Sequence, residues 1–165
     1  MSFGAETMVR MGELAVSQTP GDVLVSIGLG SCIGLALVDS DRGLAGLAHI
    51  MLPGGGTREA SDASSAKYAD VAVERLVEEL VALGARLTEL EGILVGGAQM
   101  FAGAGSALDI GSRNEEATRA ALARHSVPVR AAATAGNKGR TVRVRVSPAS
   151  VQVKEAGGIT APLFP

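Results

Sequence analysis

Val23-Leu24-Val25-Ser26-Ile27-Gly28-Leu29-Gly30-Ser31-Cys32 decides the fold by the kind of element it leads into. A strand that passed through Gly-x-Gly into a helix would be a dinucleotide-binding unit. Here Ile33 stands where the third glycine should fall. The chain then runs through Ile33–Val38, the polar turn Asp39–Gly43 and the apolar run Leu44–Ile50, which read as two strands of a hairpin entered through a glycine-rich bend. Upstream, Gly12–Val16 and Val23–Ile27 are short β-leaning runs on either side of Gln18-Thr19-Pro20-Gly21-Asp22, a dense turn signal.

Downstream, Met51-Leu52-Pro53-Gly54-Gly55-Gly56 leads into Thr57–Ser65, a polar, small-residue stretch expected to be a mobile surface loop. Ala66–Leu83 is the clearest helix, because Tyr68, Ala72, Leu76, Leu80 and Leu83 recur at spacings of three and four, and Gly84 is its natural stop. Gly92–Val95 reads as a buried strand with Gly96-Gly97 as its exit. Arg113–His125 reads as a second helix ended before Pro128. Val129–Thr134 is extended, and Gly136-Asn137-Lys138-Gly139 is most simply a hairpin turn. Thr141–Val146 alternates cleanly, as a half-solvated antiparallel strand does, with Val151–Val153 as a partner. Many strands and two main helices without β-α-β alternation point to an α+β fold, or to a layered sandwich with largely antiparallel or mixed sheets.

The length of 165 residues suits one domain spanning 1–165, with frayed ends at about 1–10 and 156–165. Lys and Arg total 15 against 17 Asp and Glu, so no basic field draws the chain to nucleic acid or anionic lipid, and aromatics at 2% offer few stacking platforms. One cysteine and two histidines are too few for a structural zinc site or an internal disulfide. Met1–Arg10 carries Glu6 and no sustained apolar stretch, and no run is long enough to span a bilayer, so the expected location is the cytoplasm, without membrane insertion.

Cys32 comes directly after Gly30-Ser31 at the start of a strand, where small residues leave backbone N–H groups free to form an oxyanion hole. A thiol activated by an imidazole attacks an amide carbonyl, and His49 lies one hairpin away, within reach if the two strands pair antiparallel. The plainer reading is a buried small hydrophobe and a hydrogen-bonded strand-end histidine, the commoner fate of a lone Cys and a lone His. Ser26 could orient His49, or simply bond to backbone. Arg113 and Asn114 could hold a substrate amide or carboxylate, although Asn114 there is equally a helix cap. His125, near a helix end, is explained by capping.

The order of these pieces resembles the CheD family: Gly28-Leu29-Gly30-Ser31-Cys32, then Ala48-His49-Ile50-Met51-Leu52-Pro53, Lys67-Tyr68-Ala69-Asp70, Gly96-Gly97-Ala98-Gln99-Met100-Phe101 and Ile110-Gly111-Ser112-Arg113-Asn114. The resemblance implies an α/β sandwich and hydrolytic deamidation of glutamines on methyl-accepting chemotaxis receptors, with a CheC-type phosphatase as partner and no metal or organic cofactor. It implies Cys32 as nucleophile and His49 as general base, with Ser26 where the family commonly has threonine as third member. Ala132-Ala133-Thr134-Ala135-Gly136-Asn137 departs from the family, which usually has an acidic residue before the Thr and two glycines after it. Two alternatives stand beside the deamidase: a CheC-binding regulatory module with weak or no catalysis, and a receptor glutamyl methylesterase sharing the acyl-enzyme chemistry.

Overall fold

Ile33–Asp39 and Leu44–Ile50 are buried at every position, whereas Arg140–Arg145 alternates, with Arg140, Val142 and Val144 buried and Thr141, Arg143 and Arg145 more open. A strand covered on both faces carries apolar residues throughout, and a strand covered on one face carries them at every second position. The computed structural model describes residues 4–55, 66–100 and 109–165. Its elements in chain order are β1 (Glu6–Met8), β2 (Leu14–Ser17), β3 (Val23–Leu29), β4 (Ile33–Asp39), β5 (Leu44–Ile50), α1 (Ala69–Ala82), β6 (Glu91–Gly96), α2 (Ile110–Arg124), β7 (Val129–Thr134), β8 (Arg140–Arg145), β9 (Ser150–Glu155) and β10 (Thr160–Phe164).

The strands form two five-stranded sheets, ordered β1-β3-β8-β9-β10 and β2-β5-β4-β6-β7. Each is mixed: β1 runs parallel to β3 and β6 parallel to β7, and the other pairs are antiparallel. One face of the second sheet packs Ile33, Leu35 and Leu37 against Ala72, Leu76 and Leu80 of α1 and Leu122 of α2. Its other face packs Ala36, Val38, Ala45 and Leu47 against Leu24, Val142, Val144 and Val151 of the first sheet. The layers are therefore helix, sheet, sheet, as expected for the α+β sandwich. Among the described residues no helix is long and apolar enough to cross a membrane.

The structure departs from the sequence reading at the connections. Gly136–Gly139 joins β7 of one sheet to β8 of the other, so it is a crossover and not a hairpin turn. The same holds for Gln18–Asp22, between β2 and β3. Turn chemistry reports only that the chain reverses, and it carries no information about which sheet receives the next strand. The ends expected to fray form β1 and β10, the two edge strands of the first sheet. Val9 is buried behind β1, and Leu163 and Phe164 pack on the inter-sheet core, so apolar contact offsets the ordering cost at both ends. Tyr68 is the N-cap of α1 rather than part of it. The expected loop Thr57–Ser65, and Phe101, lie outside the described residues.

Ala135 sits at φ 67°, a left-handed conformation that costs an L-residue about 1–2 kcal/mol. The crossover imposes it: the Ala135 N–H donates to Gly96 O at 3.1 Å, and the Ala135 carbonyl accepts from Arg140 Nη1 at 2.8 Å. Glycine would keep both bonds without the Cβ penalty. Ala135→Gly is expected to raise stability by about 1 kcal/mol, or a Tm gain of roughly 2–4 °C. Chemical denaturation checks this, and a loss of stability would show that the Ala135 methyl contributes packing that outweighs the strain.

Candidate active site

Between Leu29 and Ile33 the chain leaves one sheet for the other within three residues. Gly28, at φ 69°, turns the strand end, and a register shift against β8 between Ser26 and Leu29 marks the distortion. The carbonyls of the connecting residues are each held by a donor. Gly30 O accepts from Ala98 N at 2.8 Å and Cys32 O from Gly97 N at 2.9 Å. Ser31 O accepts from Asn114 Nδ2 at 2.9 Å. Gly96, at φ 112°, has no Cβ to spare, since one would run into the Cys32 carbonyl.

Across a planar trans peptide the C=O of one residue and the N–H of the next point in opposite directions. Holding the Gly30 and Ser31 carbonyls against the β6 exit and α2 therefore turns the Ser31 and Cys32 N–H groups the other way. Successive N–H groups facing away from the protein's own acceptors are the elements from which anion-binding concavities are built. The Asn114 side chain fixes the middle of the loop formed by Gly30, Ser31 and Cys32.

Gly34 of β4 lies directly opposite His49 of β5. Gly34 carries no side chain on that face, where Leu29 and Val142 close over it, and Cys32 stands two residues before it, just ahead of β4. Cys32 packs on the inter-sheet core, the cluster to which Leu47, on the His49 face of β5, also belongs. Diagonal neighbours across an antiparallel pair lie about 7–8 Å apart, a span that an aromatic side chain can reach. Cys32 is partly exposed and free, and His49 is buried.

His49 Nδ1 lies 3.2 Å from the Val9 carbonyl oxygen, and the buried Ser26 hydroxyl donates to that same oxygen at 2.7 Å. Burial holds the imidazole below its ordinary pKa, against the smaller opposing effects of the Val9 carbonyl and the Glu13 charge. Burial likewise pushes the Cys32 thiol up. Both shifts favour the uncharged forms at neutral pH, a thiol at Cys32 and a neutral imidazole at His49. Iodoacetamide labelling of Cys32, the chain's single cysteine, is expected to be slow at neutral pH and to rise with a midpoint above the ordinary thiol value of about 8.5. Fast labelling with an acidic midpoint would instead reveal a preformed thiolate–imidazolium pair.

Asn114 is not the helix cap. α2 begins at Ile110, earlier than the sequence suggests, because the Asp109 side chain accepts from Ser112 N at 3.0 Å and caps it. Asn114 is instead buried one turn in, its Nδ2 donating to Ser31 O at 2.9 Å and to Met51 O at 3.0 Å. Both amide protons are spent inside the protein, so that nitrogen has none left for a substrate. Arg113 is exposed, and among the described residues no contact ties its guanidinium to Cys32, His49 or Asn114. His125 is the C-cap residue of α2. Val9 gives no sequence signal, because its contribution is a main-chain oxygen.

A family model described as CheD, chemotactic sensory transduction, matches residues 51–155. A Symbiobacterium thermophilum protein named "Probable chemoreceptor glutamine deamidase CheD" is 42% identical over 151 residues, covering 90% of this chain and 92% of its own. A Clostridium botulinum protein of the same name is 40% identical over 154 residues, covering 92% and 94%. Among solved structures, the Bacillus licheniformis hypothetical protein YfiH aligns with a TM-score of 0.45 and 13% identity, over 70% of this chain and 47% of that one.

Proposed function

The chain belongs to the CheD family, and from that membership we propose that it is a chemoreceptor glutamine deamidase, a protein-glutamine glutaminase that converts receptor glutamine side chains to glutamate. What supports a hydrolytic site in this chain is the register of the β4–β5 hairpin, which sets Gly34 opposite His49 with Cys32 two residues before Gly34, together with the loop 30–32 whose carbonyls are held by Ala98, Asn114 and Gly97. Its relatives' names supply the substrate class.

In this reading His49 takes the Cys32 proton as the sulfur attacks the glutamine Cδ, forming a C–S bond and a tetrahedral oxyanion. The Ser31 and Cys32 N–H groups stabilise that oxyanion. Collapse breaks the Cδ–N bond, and the imidazolium of His49 gives its proton to the departing ammonia. Water then loses a proton to His49 and attacks the thioester. The C–S bond breaks, glutamate leaves, and the proton returns to sulfur. Every step uses groups of the chain and water. The proposal extends to methyl-accepting chemotaxis receptors in the cytoplasm as substrates and to a CheC-type phosphatase as partner, both as the family resemblance implies.

The test is product analysis on receptor fragments carrying either glutamine or glutamyl methyl ester at the modified positions. Ammonia release from the first supports the deamidase. Methanol release from the second, without ammonia from the first, would replace it with the methylesterase.

A further inference from the structure

We infer that the third member of the Cys32–His49 system is the main-chain carbonyl of Val9, which fixes His49 in its Nδ1–H form, and that Ser26 is a positioning residue which acts by holding that carbonyl. This rests on the reading of Cys32 and His49 given above. A carbonyl oxygen has lone pairs and no proton, so an imidazole nitrogen bonded to it must be the one that carries hydrogen. With Nδ1 facing Val9 O at 3.2 Å, Nε2 is left as the lone-pair nitrogen, the form a base needs to accept the thiol proton.

The carbonyl is itself held from three directions. The Val9 N–H donates to Val25 O at 2.7 Å, so β3 fixes the residue's backbone. The next residue of β3 is Ser26, whose hydroxyl proton goes to Val9 O at 2.7 Å. Val9 is also 2% exposed, its side chain packed into the inter-sheet core. The segment that carries Val9 grips the histidine backbone as well: the Gly12 N–H donates to His49 O at 3.0 Å, and the His49 N–H donates to Glu13 O at 2.9 Å. Residues 9–13 therefore hold both the ring and the main chain of His49. The first-sheet edge strand that precedes them is part of the catalytic apparatus by position, although none of its side chains reacts.

Heteronuclear NMR of the imidazole nitrogens tests the assignment. The chain has two histidines, so a His125→Gln background leaves His49 as the single signal. The expected spectrum at neutral pH has a protonated, pyrrole-type Nδ1 and an unprotonated, pyridine-type Nε2. Ser26→Thr, which keeps the hydroxyl, is expected to retain that tautomer. Ser26→Ala is expected to let the Nε2–H form appear and to lower kcat by at least about tenfold with KM little changed. A wild-type His49 in the Nε2–H form overturns the inference, whether or not Ser26→Ala folds. Ser26→Ala with wild-type tautomer and kcat overturns the part assigned to Ser26. A wild type that shows Nδ1–H but deamidates no receptor fragment supports the carbonyl assignment and sinks the proposed function, so the two failures are distinguishable.

Discussion

Cys32→Ala is expected to lower glutamine deamidation by about 10⁴- to 10⁶-fold, the loss seen when a nucleophile working as a unit with its base is removed. The thiol is partly exposed and sits at the edge of the inter-sheet core. Its removal should therefore change stability by less than about 1 kcal/mol, which separates a chemical loss from an unfolded protein. His49→Asn should be nearly as damaging, because it places an amide near the Nδ1 position, facing Val9 O, while removing the nitrogen that takes the thiol proton. If the two residues act in one step, the double variant is no worse than either single variant. Losses that multiplied instead would mean that His49 does not act through Cys32. The readouts are single-turnover ammonia release and a denaturation curve for each variant.

The second large effect is expected at Asn114. Replacing it with alanine removes both donors to Ser31 O and Met51 O. Two carbonyls are then left without the partner they have in the native fold. Stability should fall by about 2–4 kcal/mol. Because the Ser31 carbonyl direction sets the Cys32 N–H direction, the oxyanion donors loosen as well, and kcat should fall by about 10²-fold. Asn114→Asp is the sharper form of the test: it keeps the shape but puts an acceptor oxygen where the nitrogen with its two donor hydrogens is needed. It should be no better than alanine. An Asn114→Ala protein with wild-type kcat would show that the loop holds its shape from Gly97 and Ala98 alone.

Much of the fold is legible from local chemistry. The β4–β5 hairpin arises from two apolar runs around a polar turn, and the α1 face from residues three and four apart. The valines of β8 alternate with arginines because one side of that strand meets the core and the other meets water. What local chemistry leaves open is sheet membership. Gln18–Asp22 and Gly136–Gly139 have the composition of hairpin turns, yet each hands the chain from one sheet to the other, a choice made by packing partners distant in sequence. The start of α2 is a different case. Asp109 is a good N-cap, but Gly111 and Ser112 are poor helix formers and hide it. Gly111 is there because a Cβ would collide with the carbonyls of Gly97 and Ala98, where α2 meets the exit of β6.

The site divides the same way. Cys32 and His49 are visible as residue types at hairpin spacing, and Asn114 as part of an ordered motif. The use made of Asn114 is visible only in three dimensions, since its partners are main-chain oxygens 83 and 63 positions away. Ser26 is legible as a hydroxyl near the site but not as a donor to Val9 O, and Val9 itself carries no mark. Arg140 gives no sequence signal either. It is almost buried and gives its guanidinium protons to the carbonyls of Gly96 and Ala135 at 3.3 and 2.8 Å, bracing the glycine exit that holds the Cys32 loop.

The central claim is that Cys32 hydrolyses a glutamine side chain on a chemoreceptor. Intact-mass spectrometry of a receptor cytoplasmic fragment, incubated with wild-type protein and in parallel with Cys32→Ala, tests it most directly. The expected result is a gain of about one dalton per converted glutamine with the wild type, as amide hydrolysis requires, and no gain with the variant. Conversion by both proteins, or by neither on cognate receptors, would contradict the claim.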